Sequence, residues 1–250
     1  MKKSFSLILT CIIMLSLAGC SDTNGTENTQ SESISSSVQS NTEAENTEIQ
    51  VQTDSSSAGI SSETESSTNI LVAYFSYGEN ADLPDGVDAS TTASIQVLNN
   101  EITGNTGVVA NIIAQLTEGD IFSIQTAEKY PASYDETLDK GQEEQSGNER
   151  PQIVNITENL DDYDVIFLGY PNWWYGVPMA ILTFLEEYDF TSKQVYLFCS
   201  HGTGGLAESV EIIKNAIPDA EISDNIFDCY EEEASSSKED IQNWVKELGY

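Results

Sequence analysis

The chain has 250 residues, 39% of them hydrophobic, with 42 acidic against nine basic side chains and a formal charge of −33. A surface that acidic repels nucleic acid and anionic membrane, which argues against both as partners of the folded part. Four cysteines with no CxxC and no metal-ligand spacing give no metal pattern.

The chain begins Met1-Lys2-Lys3, continues through an apolar run from Phe5 to Leu17 and reaches Ala18-Gly19-Cys20. A basic end, a short apolar core and small residues before a cut site read as an export signal, and the run is too short to span a bilayer. Ending in Cys rather than Ala-x-Ala, residues 1–19 resemble a bacterial lipoprotein signal. That resemblance implies lipidation of Cys20 and an anchor at the outer face of the cell membrane. Residues 20–69 hold nine acids and no Lys or Arg, with Ser, Thr, Asn and Gln making up most of the rest. Such a segment buries too little to offset the entropy of ordering, so it reads as a disordered tether with a root-mean-square span of about 40 Å. The remainder, 70–250, has the size of one domain. Two of the nine bases belong to the signal, which leaves 33 acids against seven bases and a charge of −26.

Within that domain, Ile70–Ser76 (ILVAYFS) is nearly continuous in apolar and aromatic residues, the content of a strand covered on both faces of a parallel sheet. A long segment follows, with a turn signal at Leu83-Pro84-Asp85-Gly86, before a helix starts at about Asn105 with Val108, Val109, Ile112, Ile113 and Leu116 on one face. Asp120–Thr126 (DIFSIQT) is a more mixed strand, and Ala132–Gln145 a weaker helix. Asp164–Tyr170 (DVIFLGY) is again a fully buried strand, followed by a helix that Pro178 opens, with Ile181, Leu182 and Leu185 inward. Gln194–Ser200 (QVYLFCS) is the fourth strand, and Leu206, Val210, Ile213 and Ile217 mark the next helix. Glu221–Asp228 (EISDNIFD) is a mixed fifth strand. The last helix carries Ile241, Trp244, Val245 and Leu248 and is preceded by Ser235–Ser237 as caps. Strand–helix alternation throughout means a doubly wound α/β sheet, whose ligands bind beyond the carboxyl ends of the strands.

Three of the connecting loops carry unusual residues. Thr103-Gly104-Asn105-Thr106-Gly107 places small residues and hydroxyls at a helix start, which suits either an anion or an ordinary cap. No Lys or Arg lies in either loop segment, so an anion there is held by Ser76, Thr103, Thr106 and amides. After the third strand comes Pro171-Asn172-Trp173-Trp174-Tyr175-Gly176, whose aromatics suit stacking on a flat heterocycle, with one Trp turned into the core. After the fourth comes Ser200-His201-Gly202-Thr203-Gly204-Gly205, with the chain's single His and three glycines that permit close backbone approach and positive φ. Cys199 reads as a buried thiol, and a bridge to Cys229 stays open. No acid–base pair or nucleophile is recognisable, which assigns the chemistry to a cofactor.

The segments LVAYFS, TGNT, DVIFLGYPNWWYGVPMAILTFLEEYDF and VYLFCSHGTGG resemble the flavodoxin-like proteins that bind FMN, over essentially all of 70–250. The resemblance implies a five-stranded parallel sheet in the order 2-1-3-4-5 with helices on both faces. It also implies that Ser76, Thr103, Gly104, Asn105, Thr106 and Gly107 hold the FMN phosphate. Pro171, Asn172, Trp173, Trp174, Tyr175 and Gly176 then flank the isoalloxazine on one side, and Ser200, His201, Gly202, Thr203 and Gly204 on the other. Where the family runs straight from strand to phosphate loop, this chain inserts residues 77–102, expected to form a cover near the cofactor. The expected function is an FMN oxidoreductase or electron carrier. Its electron donor and acceptor are a redox protein, a quinone or another small molecule, and the acidic domain lowers the second reduction potential. The alternative is a flavodoxin-fold lipoprotein that binds no FMN and serves as an interaction module.

Overall fold

The computed structural model describes residues 68–84, 94–154 and 159–250. The expected signal, Cys20, the tether through residue 67, and Asp85 and Gly86 of the turn lie outside the described residues.

Along the chain, β1 (Ile70–Phe75) runs into a four-residue helix α1 (Tyr77–Asn80), and a hairpin of β2 (Gln96–Leu98) and β3 (Glu101–Thr103) leads to α2 (Asn105–Thr117). Then come β4 (Asp120–Ile124), α3 (Tyr134–Gly147), β5 (Val165–Pro171), α4 (Met179–Glu187) and β6 (Gln194–His201). The chain closes with α5 (Ser209–Ala216), β7 (Glu221–Ile222), β8 (Phe227–Tyr230) and α6 (Lys238–Glu247). The main sheet is parallel in the order β4-β1-β5-β6-β7, and β8 also pairs with β6. In terms of the five expected strands this is the order 2-1-3-4-5.

The continuous apolar runs are explained by two cores, one on each face. Successive strand residues point to opposite sides. Leu71, Ala73 and Phe75 of β1, Ile166, Leu168 and Tyr170 of β5, and Val195, Leu197 and Cys199 of β6 pack with Ile181 and Phe184 of α4 and Ile213 of α5. Ile70, Val72 and Tyr74, Val165 and Phe167, and Phe198 pack on the other side with Val109 and Ile113 of α2 and Ile241, Trp244 and Val245 of α6. Gly169 lets the Phe198 ring lie across β5, because a Cβ there would come within 2.1 Å of two ring carbons. Cys229 joins the second core, so Cys199 and Cys229 are both free and buried on opposite faces of the sheet.

Several expectations need correction. The fifth strand is two short pieces: the chain turns at Ser223–Ile226, where the Asn225 N–H donates to Ser223 Oγ at 3.1 Å and Lys214 pairs with Asp224 at 2.8 Å. Pro178 is the N-cap residue of α4 rather than its first helical residue. Ser237 stands at the N-cap of α6 but donates its hydroxyl to the Glu233 carbonyl at 2.8 Å instead of accepting a helix amide. The weak helix is well formed as α3, closed by Ser133, whose Oγ donates to Glu136 Oε2 at 2.6 Å and accepts the Glu136 N–H at 3.4 Å.

The described parts of 77–102 are integrated structure rather than a bare loop. Asn80 of α1 is fully buried: its Nδ2 donates to the carbonyls of Ser76 and Ile124, and its Oδ1 accepts the Thr126 N–H. One amide thereby ties the ends of β1 and β4 together. The hairpin turns at Asn99 and Asn100, with φ of 53° and 68°, the left-handed pair that a two-residue type I′ turn requires.

Candidate functional site

Helix α2 starts at the carboxyl edge of the sheet with Gly104 as N-cap and no side chain closing its first amides. Those N–H groups and the positive end of the helix dipole face whatever lies in front of them. Ser76 Oγ, 1% exposed, lies against the position a Gly104 side chain would take and has no hydrogen-bond partner among the described residues. A buried hydroxyl left unpaired costs about 1–3 kcal/mol. An oxyanion brought to this loop would supply the missing partner, so the residues present fit a phosphate. Thr106 Oγ1 lies 2.8 Å from Ser200 Oγ, both buried, which joins the first loop to the third. The other two polar groups of the loop are already engaged. Thr103 Oγ1 donates to Glu79 in a close contact, and Asn105 Oδ1 accepts from Gln96 Nε2 at 2.7 Å.

The aromatic loop is a tight turn closed by Trp173 and Gly176, whose backbones exchange hydrogen bonds of 3.3 and 2.9 Å. Its central residues, Trp174 and Tyr175, have φ of 50° and 62°. Bulky side chains seldom adopt the left-handed region, at about 1–2 kcal/mol each. Both side chains are exposed, Tyr175 more than Trp174. Trp173 is the Trp turned inward, meeting Phe75 and Tyr130 edge-to-face at 5.5 and 5.1 Å. Trp174 Nε1 donates to the Leu138 carbonyl at 3.0 Å, which fixes its indole against α3, while Tyr175 is 67% exposed.

In the third loop, His201 is clamped, with Nδ1 2.8 Å from the Gly202 carbonyl and Nε2 2.8 Å from Asp228 Oδ2. Asn172 binds across to this loop: its N–H donates to the Ser200 carbonyl at 2.9 Å and its Nδ2 to the Gly205 carbonyl. Of the three glycines expected to permit positive φ, Gly205 adopts it, at 59°. Burial pushes the Cys199 thiol well up, with Asp228 adding to it, and brings Cys229 up to about 11, so neither is a thiolate nucleophile.

These loops enclose one cleft of about 740 Å³, within the range of small-molecule sites. Asn105, Pro171 to Tyr175 and Ser200 to Gly204 line it. Ser76, Thr103, Gly104, Thr106, Gly107 and Gly176 do not line it. Sequence reasoning missed Tyr77 and Ser94 from the inserted segment, Tyr134, Thr137 and Leu138 around α3, and Tyr230 and Glu231 at the end of β8. The last pair was detectable in principle, since Tyr230-Glu231 stands at the end of the final strand on the ligand edge. Tyr134, 70% exposed, had no such signal.

The chain is a doubly wound α/β domain with an aromatic-walled cleft among the loops that follow its strands. The sequence profile of the flavodoxin family matches residues 94–248, and the chain belongs to that family. Two solved structures share the fold. A protein assigned as a flavoprotein from Bacteroides eggerthii is 24% identical over 73% of this chain and 99% of its own, with a TM-score of 0.55. One from Bacteroides uniformis is 24% identical over 72% and 98%, with a TM-score of 0.54. A Lactobacillus acidophilus flavoprotein in complex with FMN aligns at 16% identity over 69% and 99%, with a TM-score of 0.47. No curated protein matches the chain.

Proposed function

We propose that the cleft holds FMN and that the protein is an FMN-dependent oxidoreductase or electron carrier, anchored through Cys20 at the outer face of the cell membrane. The observation that carries the cofactor reading is Ser76: an unpartnered, buried hydroxyl just after β1 that lies against Gly104, the N-cap of α2. When bound there, FMN supplies the redox chemistry. The chain's own residues bind and orient it. Amides at the start of α2, Ser76 and the Thr106–Ser200 pair would hold the phosphate. The Asn172–Tyr175 turn and the Ser200–Gly204 loop would flank the ring and exclude water. The tether and lipid anchor explain the Cys20 context of the signal, and Cys20→Ser should release the protein from the membrane fraction.

An absorbance spectrum of the full chain incubated with FMN and freed of excess tests the reading: a retained yellow flavin band supports it. Turnover of NAD(P)H with a quinone separates a reductase from a carrier, which gives almost none. One observation favours the FMN-free alternative. Thr103 and Asn105 are engaged by Glu79 and Gln96, so part of the cradle is already satisfied. Colourless protein that leaves added FMN fluorescence unquenched would select that reading.

A further inference from the structure

Glu79 lies on α1, in the segment that separates Ser76 from Thr103, and is half-buried. Its carboxylate gathers three hydroxyls: Tyr74 at 2.8 Å, and Thr103 and Ser123 in closer contacts. A carboxylate only accepts, so the single proton of each hydroxyl points at it. Thr103 therefore turns lone pairs, not a proton, toward its other neighbours. Oε1 also lies 3.0 Å from where a Cβ on Gly107 would be, which puts the charge beneath the first turn of α2. That turn carries no acid of its own. Lys129 makes no direct ion pair with the carboxylate; its Nζ donates to the Glu79 main-chain oxygen at 2.7 Å.

We infer that Glu79 sets how strongly the cradle selects a phosphorylated flavin over an unphosphorylated one. This rests on the FMN reading of the cleft. A fixed negative charge one hydroxyl away from the anion loop repels a phosphate, and burial leaves that repulsion poorly screened by salt. Beside the first turn of α2, it also offsets part of the positive dipole end that would favour a phosphate. Riboflavin has no phosphate and does not feel the charge. The inserted segment thus narrows the gap between the two flavins instead of merely covering the site.

The test titrates full-length protein and Glu79→Gln with FMN and with riboflavin, read by flavin fluorescence quenching. Melting of each ligand-free protein is measured alongside. The expected result is FMN binding at least tenfold tighter in the variant and riboflavin unchanged within twofold. An unchanged FMN constant, or an equal shift for both flavins, overturns the inference and leaves the FMN reading standing. Failure of both proteins to bind either flavin overturns both. Should the Gln variant melt early, Glu79→Asp draws the charge one methylene back from Thr103. At least a threefold gain for FMN alone is then expected, and no gain overturns the inference.

Discussion

Tyr175→Asn separates the two roles of the aromatic turn, presentation of a ring and maintenance of the fold. Asn accepts the left-handed backbone that Tyr175 holds at 62°, so the exchange relieves about 1 kcal/mol of strain. Tyr175 is 67% exposed, so it buries about a third of a side chain that covers roughly 200 Å² when fully enclosed. At about 25 cal/mol per Å² the loss is close to 1.7 kcal/mol. The two terms nearly cancel, and urea unfolding of ligand-free protein should move by less than about 1 kcal/mol. The ring's stacking surface for a flat heterocycle disappears, at about 1–3 kcal/mol, or roughly 5- to 150-fold in the FMN dissociation constant. Equilibrium unfolding and fluorescence titration on the same preparation give both numbers. An FMN constant within twofold of wild type would refute the placement of Tyr175 against the flavin.

Three further outcomes are expected. Gly169→Ala puts a methyl group against the Phe198 ring in the middle of the sheet and should lower stability by about 1–3 kcal/mol, read from the urea midpoint. Glu144 has its carboxyl pKa raised, chiefly by burial against the opposing Tyr130 hydrogen bond and Lys140. The fold therefore gains most from Glu144 below the ordinary carboxylate pKa of about 4.3, and that gain is lost as pH rises through the raised value. Glu144→Gln should flatten this part of the stability–pH profile; an unchanged slope would count against it. The domain charge of −26 disfavours adding electrons to a bound flavin, so potentiometric titration should place the second reduction step below that of free FMN. A value at or above free FMN would remove the argument.

The central strands were legible because β1, β5 and β6 are buried on both faces and so cannot hide polar residues. The fifth strand was misread as one piece because its break at Asp224 and Asn225 looks the same as the polar face of an edge strand. In the inserted segment, three-residue strands are too short to show a period, although the Asn99-Asn100 pair was a turn signal in plain view. The site was legible where side chains served no burial pattern, as with Trp174 and Tyr175. Glu79 was invisible for the opposite reason. Its role exists only once Tyr74, Thr103 and Ser123, drawn from β1, β3 and β4, converge on one carboxylate.

The placement of Cys199 and Cys229 has a consequence for how the domain survives in different redox surroundings. With the sheet between them, these two sulfurs cannot cross-link without pulling a strand out of register. The domain's native state owes nothing to a bond between them, and reductant or oxidant in the medium should leave its melting temperature where it is.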